Sequence, residues 1–112
     1  MNDLKEIMSR CIGGVMNWNR ILRNIKFIIG DMKKGTSTYG NLKINVKGEW
    51  ERIRLILLEL TVVVGGIESC SSTDDREFIK ILVSGIMRAM NLAYKEDLVA
   101  FEKAISDLQE MI

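Results

Sequence analysis

Residues Trp50–Ile67, WERIRLILLELTVVVGGI, form the most apolar stretch of the sequence, and their only charges are Glu51, Arg52, Arg54 and Glu59. A membrane-crossing helix needs about 20 predominantly apolar residues, so a shorter run holding Arg54 and Glu59 reads as the innermost helix of a soluble protein. Trp50, Ile53, Leu57, Leu60, Val64 and Ile67 recur at alternating spacings of three and four, the seam of a helix packed against other helices. Leu55, Ile56, Leu58, Val62 and Val63 extend apolar surface around most of the circumference, so coverage on several sides is expected. The β-branched run Thr61–Val64 also suits a buried strand, but its continuity with the seam upstream favours helix. The prediction is a helix over about 49–68, with Gly65 and Gly66 fraying or capping its end.

Upstream, Leu4, Met8, Cys11, Val15, Trp18, Leu22, Ile25, Ile29 and Met32 keep the same alternation without a miss, and Ile7, Ile21 and Ile28 widen it into the face of a bundle helix. Asp3 and Glu6 have capping-box spacing, and Gly35 follows Lys33 and Lys34 as a stop, so this helix is predicted over 3–33. Gly13 and Gly14 each cost about 1 kcal/mol relative to Ala inside a helix. The unchanged phase across the pair favours a close backbone crossing there over a kink.

Residues 35–48, GTSTYGNLKINVKG, interrupt the helical pattern. Leu42, Ile44 and Val46 alternate with Lys43, Asn45 and Lys47 at the period of a strand, yet no second strand is evident. A long loop at 35–48 is predicted, holding a short extended segment or hairpin, or folding early into the next helix.

Downstream, Ser69–Thr73 is a turn, and Asp74 with Glu77 opens a helix over 74–94. Ile79, Val83, Ile86, Met90 and Ala93 are predicted to face inward, flanked by Phe78, Leu82 and Ala89. The phase slips by one residue near Tyr94–Asp97, and Leu98, Phe101, Ile105, Leu108 and Ile112 carry a last helix over 97–111. No Gly or Pro marks the slip, so a tight corner or one long bent helix both fit, and a corner is the expectation. The fold expected is an all-α antiparallel four-helix bundle in a single domain, residues 1–112. The run Ala93–Ile112, AYKEDLVAFEKAISDLQEMI, resembles the closing helices of flagellar export chaperones of the four-helix type over less than a fifth of the chain. The N-terminal pattern of that family is not recognisable in this sequence, so membership is not inferred.

Composition narrows the function classes. Apolar residues make up 47% and charged residues 28% of the 112, which suits a globular domain. Proline is absent, consistent with long helices. Histidine is absent too, which removes the commonest general base and metal ligand and sets enzymes at a disadvantage. The N-terminus lacks the basic region, apolar core and cleavage site of a secretory signal, so a cytoplasmic location is the default. The two cysteines, Cys11 and Cys70, form neither a metal knuckle nor a redox pair, although antiparallel packing of the first two helices would bring them to one level. Residues 1–50 hold nine Lys/Arg against four Asp/Glu, and residues 51–112 hold seven against eleven. The basic half suits an acidic partner, a nucleic acid, the acidic half of another copy, or oppositely charged helices within one bundle.

Candidate chemistry is sparse. Gly30–Thr36, GDMKKGT, lacks the lysine and the preceding strand of a phosphate loop. Asp74/Asp75 and Glu96/Asp97 fall at predicted helix starts, where carboxylates serve the helix dipole. Cys11 has no histidine to activate it. No catalytic, cofactor or metal site is assigned. What remains is surface. Arg20, Arg23, Lys26, Phe27, Lys33 and Lys34, extended by Lys43 and Lys47, combine positive charge with an aromatic, as a phosphate backbone and one stacking platform require. Tyr39, Leu42, Ile44, Val46 and Trp50 are apolar contacts for a protein partner or another copy. The expectation is a non-enzymatic adaptor or chaperone-like interaction protein that forms homo-oligomers, with RNA or single-stranded DNA binding as the alternative. Neither a membrane nor a small-molecule substrate is implied.

Overall fold

A computed structural model describes residues 12–36, 46–70 and 76–111, with side chains over 16–33, 48–68 and 76–111. Among the described residues four helices follow one another: α1 (Ile12–Thr36), α2 (Val46–Cys70), α3 (Arg76–Lys95) and α4 (Leu98–Glu110). Each packs on its neighbour in the chain and α1 closes on α4, the antiparallel four-helix bundle that the heptad seams predict. No strand occurs among the described residues.

The seams of the first two helices point where their spacing says. Trp18, Leu22, Ile25, Ile29 and Met32 of α1 are buried, and so are all six seam residues of α2. Ile21 and Ile28 join them as the wider face. Between them α4 supplies Phe101, Ala104, Ile105 and Leu108. Trp50 meets Phe101 edge-on, with centroids 5.3 Å apart and planes at 72°, a favourable aromatic geometry. The Trp18 indole Nε1 donates to the Leu108 carbonyl at 3.3 Å, so the polar end of a wholly buried ring is satisfied.

Four expectations are corrected. The buried line of α3 is Leu82, Ile86, Ala89 and Ala93. Ile79 and Met90 are only partly buried and Val83 is exposed, so the inward face is turned by about 50° from the predicted one. Bulky side chains drew the predicted line, whereas the alanines permit a closer approach. Gly85 on the same helix does so further: a Cβ there would lie 2.7 Å from Leu108 Cδ2. Second, α2 does not end at Gly65 and Gly66 but continues to Cys70, and neither glycine has a neighbour that a Cβ would touch. Third, the loop is shorter than 35–48, because α1 runs through Gly35 to Thr36 and α2 begins at Val46. Fourth, α2 is covered by the other helices on its inner side, but its apolar surface is not covered all round, since Leu55, Leu58 and Val62 are exposed. The helix α1 passes through Gly13 and Gly14 without interruption. The predicted start at residue 3, the Asp74 cap, the extended segment at Leu42 and Ile44, and the side chains of Cys11 and Cys70 lie outside the described residues.

The corner between α3 and α4 is built without glycine. Glu96 adopts φ 55°, the left-handed conformation that ends a helix. The Asp97 N–H donates to the Leu92 carbonyl and the Glu96 N–H to the Ala93 carbonyl, both at 3.2 Å, which is the paired hydrogen bonding of a Schellman cap. Asp97 at once starts the next helix, its carboxylate accepting from the Ala100 N–H at 3.2 Å. The acidic pair therefore divides its work: Glu96 closes α3 and Asp97 caps α4.

Candidate interaction surfaces

Two exposed surfaces stand out. On α1, Met16, Arg20, Arg23 and Phe27 follow one another at spacings of four, three and four, which aligns them on the outermost face of the helix. Phe27 is 73% exposed and Met16 68% exposed. Lys26 and Lys33 are exposed on the side turned to α4, where the Lys33 ammonium pairs with Glu102 and the two lysines line a cavity of about 170 Å³. The predicted basic group is thus split between an outer stripe and a rim beside α4. Such a part-exposed ion pair contributes about 0–1 kcal/mol. The side chains of Lys34, Lys43 and Lys47 lie outside the described ones, as do those of Tyr39, Leu42, Ile44 and Val46. Trp50, expected at an interface, is 2% exposed and belongs to the core.

The second surface is the groove between α2 and α3, where the sequence singled out no site. Leu55, Leu58 and Val62 on α2 are 66%, 52% and 76% exposed, and Met87 and Tyr94 on α3 are 62% and 69% exposed. The antiparallel register is fixed at one end by Arg54, whose Nη1 donates to the Ala93 carbonyl at 3.2 Å and whose guanidinium carbon lies 5.1 Å from the Tyr94 ring centroid. This cation covers an aromatic face and satisfies a carbonyl in the last turn of α3. Two hollows indent the groove. One of about 340 Å³ lies among Glu51, Arg54, Leu55, Leu58, Met90 and Tyr94. Another of about 110 Å³ lies among Thr61, Val64, Val83, Ile86 and Met87. An apolar groove with hollows along it is the shape that receives a helix. The excess apolar residues around α2 were the signal in the sequence, but spacing alone does not distinguish an inner from an outer stripe.

The Gly30–Thr36 segment is continuous helix within α1, so its N–H groups face helical carbonyls and form no phosphate-binding loop. No helix among the described residues is long and apolar enough to cross a membrane. No protein-family model matches the chain, and comparison with curated proteins and with solved structures returns no match.

Proposed function

We propose that this chain is a non-enzymatic interaction protein that self-associates, an adaptor or chaperone-like module rather than a catalyst. The observation that carries the reading is the apolar α2/α3 groove, whose large side chains are more than half exposed along two adjacent helices. Contiguous apolar surface of this kind on a small domain marks a protein contact. The absence of histidine from the whole sequence supports a binding role over acid–base chemistry. The test is the mass in solution across a range of concentrations. The expected result is a mass that rises with concentration and falls to that of a monomer in Leu55→Lys or Val62→Glu. The mass of a monomer at every concentration overturns the self-association.

A second reading is supported by Phe27, an exposed ring set among the exposed cations Arg20, Arg23 and Lys26. It assigns the outer face of α1 to RNA or single-stranded DNA, with Phe27 as a stacking platform. Binding is then expected to weaken steeply with salt and to be lost on reversing Arg20, Arg23 and Lys26 to Glu. No binding of a single-stranded oligonucleotide at low salt removes this reading.

A further inference from the structure

Only Glu96 and Asp97 separate α3 from α4, and the run Tyr94–Val99 around them contains neither glycine nor proline. Glu96, at φ 55°, holds a left-handed backbone that a residue with a Cβ adopts at a cost. Released from it, no residue in the run stops the helix from continuing. Numbered as one helix, the buried Leu82, Ile86, Ala89 and Ala93 of α3 lead on to Phe101, Ile105 and Leu108 of α4 at spacings of three and four, with a single gap of eight. Asp97 stands in the middle of that gap, four residues from Ala93 and four from Phe101. A straightened α3–α4 helix therefore bears one apolar stripe with one carboxylate in it.

Straightening lifts α4 and its apolar face off the bundle, so the open form is stable only when α4 seats in a second copy and makes there the contacts it makes at home. The register of the closed hairpin fixes where two such helices cross. A Cβ on Gly85 would meet Leu108, so these residues stand opposite each other, and the midpoint of the pair in the chain falls between Glu96 and Asp97. With α4 of each copy on α3 of the other in that register, the two long helices run antiparallel and cross at the corner. The two Asp97 carboxylates then meet on the inner stripe. Arg54 of α2 reaches this end of α3, but its guanidinium is engaged by the Ala93 carbonyl and the Tyr94 ring. Lys95, two residues away, stands on the opposite side of the helix from Asp97.

We propose that the α3/α4 corner is a hinge for the exchange of α4 between two copies of this chain, and that Asp97 is the latch that keeps it closed. Asp97 acts on both states. In the closed chain it is exposed, and its carboxylate accepts from the Ala100 N–H and caps α4. In the exchanged dimer it sets two like charges against each other in an apolar stripe. Glu96 works against the latch, because its left-handed backbone is relieved on opening, and short strained hinges favour such exchange. The exchange goes beyond self-association through the α2/α3 groove and does not rest on it.

The Lys33 ammonium pairs with Glu102, which joins α1 to α4 and supplies the test. Equal amounts of heavy-isotope-labelled and unlabelled full chain are unfolded and refolded together over a range of concentrations, then coupled with a water-soluble carbodiimide. In a closed chain the Lys33–Glu102 amide is internal. In the exchanged dimer it ties two chains together, and its linked peptides combine labelled with unlabelled chain. The parent is expected to give the internal link and Asp97→Leu the interchain link. Asp97→Ala, which adds no bulk, is expected to give the interchain link as well, and a far-ultraviolet circular dichroism spectrum shows which variants are folded. Adding Glu96→Gly to Asp97→Leu suits the left-handed corner and interrupts both long helices, so the dimer dissociation constant is expected to rise about tenfold or more. Folded Asp97 variants whose link stays internal at every concentration overturn the hinge. An interchain link in the parent overturns the role of Asp97 as latch, and a dissociation constant that Glu96→Gly leaves unchanged overturns the part given to Glu96. A dimer through the α2/α3 groove keeps the link internal and is dissolved by Leu55→Lys, so the two associations fail separately.

Discussion

The two sides of α2 carry similar residues and meet different surroundings. Inward, Trp50, Ile53, Leu57, Leu60, Val64 and Ile67 are buried among α1, α3 and α4. Outward, Leu55, Leu58 and Val62 follow at the same spacings of three and four, yet they remain exposed. One helix thus holds two apolar seams, and among the described residues only the inner one is covered. A helix that is apolar almost all round is expected to be covered almost all round. Where a single copy does not cover it, the remainder is available to another molecule.

Cutting the inner seam has the largest expected effect. Trp50→Ala removes a ring packed on Phe101 and is expected to cost about 3–5 kcal/mol in denaturant unfolding at low protein concentration. Gly85→Ala is the next largest test on the inner side. Its new methyl meets Leu108, itself packed in the core, and an overpacking cost of about 1–3 kcal/mol outweighs the gain in helix propensity. Gly65→Ala, on the exposed side of α2, meets nothing and is expected to stabilise by about 0.5–1 kcal/mol in the same measurement. The opposite signs of two identical substitutions would sharpen the distinction between the sides. At the corner, Asp97→Ala is expected to cost about 1 kcal/mol through loss of the cap, and Glu96→Gly to gain about 0.5–1 kcal/mol by relieving the left-handed backbone. The smallest effect belongs to the outer seam. Leu55→Ala is expected to change monomer stability by no more than about 0.5 kcal/mol, although it truncates a leucine as Leu57→Ala does at a cost of about 2–5 kcal/mol.

Much of the fold was legible because repeated spacing is a strong constraint. The seam of α1 from Trp18 to Met32 and the seam of α2 were readable residue by residue, and the phase slip at Tyr94–Asp97 located the α3/α4 corner without a glycine to mark it. Legibility was partial on α3: Ile86 and Ala93 point inward as their spacing predicts, but Val83 and Met90 line the hollows of the outer groove and Ile79 is only partly buried, while Leu82 and Ala89, expected to flank, are in the core. Burial does not follow bulk when one helix serves two apolar surfaces. Gly35 does not stop α1, and Gly65 and Gly66 do not fray α2, where continued packing by Ile67 offsets the low propensity of the glycines. The candidate sites were less legible than the fold. The basic stripe with Phe27 was found from charge and one misplaced aromatic. The α2/α3 groove was missed because its residues also fit a core, and only the path of the neighbouring helices decides which ones are covered.

The two tryptophans have an optical consequence. Trp18 donates to the Leu108 carbonyl, and Trp50 stacks edge-on against Phe101, so both indoles of the chain are read by the same short helix, α4. Every ultraviolet photon the protein emits from tryptophan therefore reports whether α4 is seated. A red shift of that emission measures the release of the final helix.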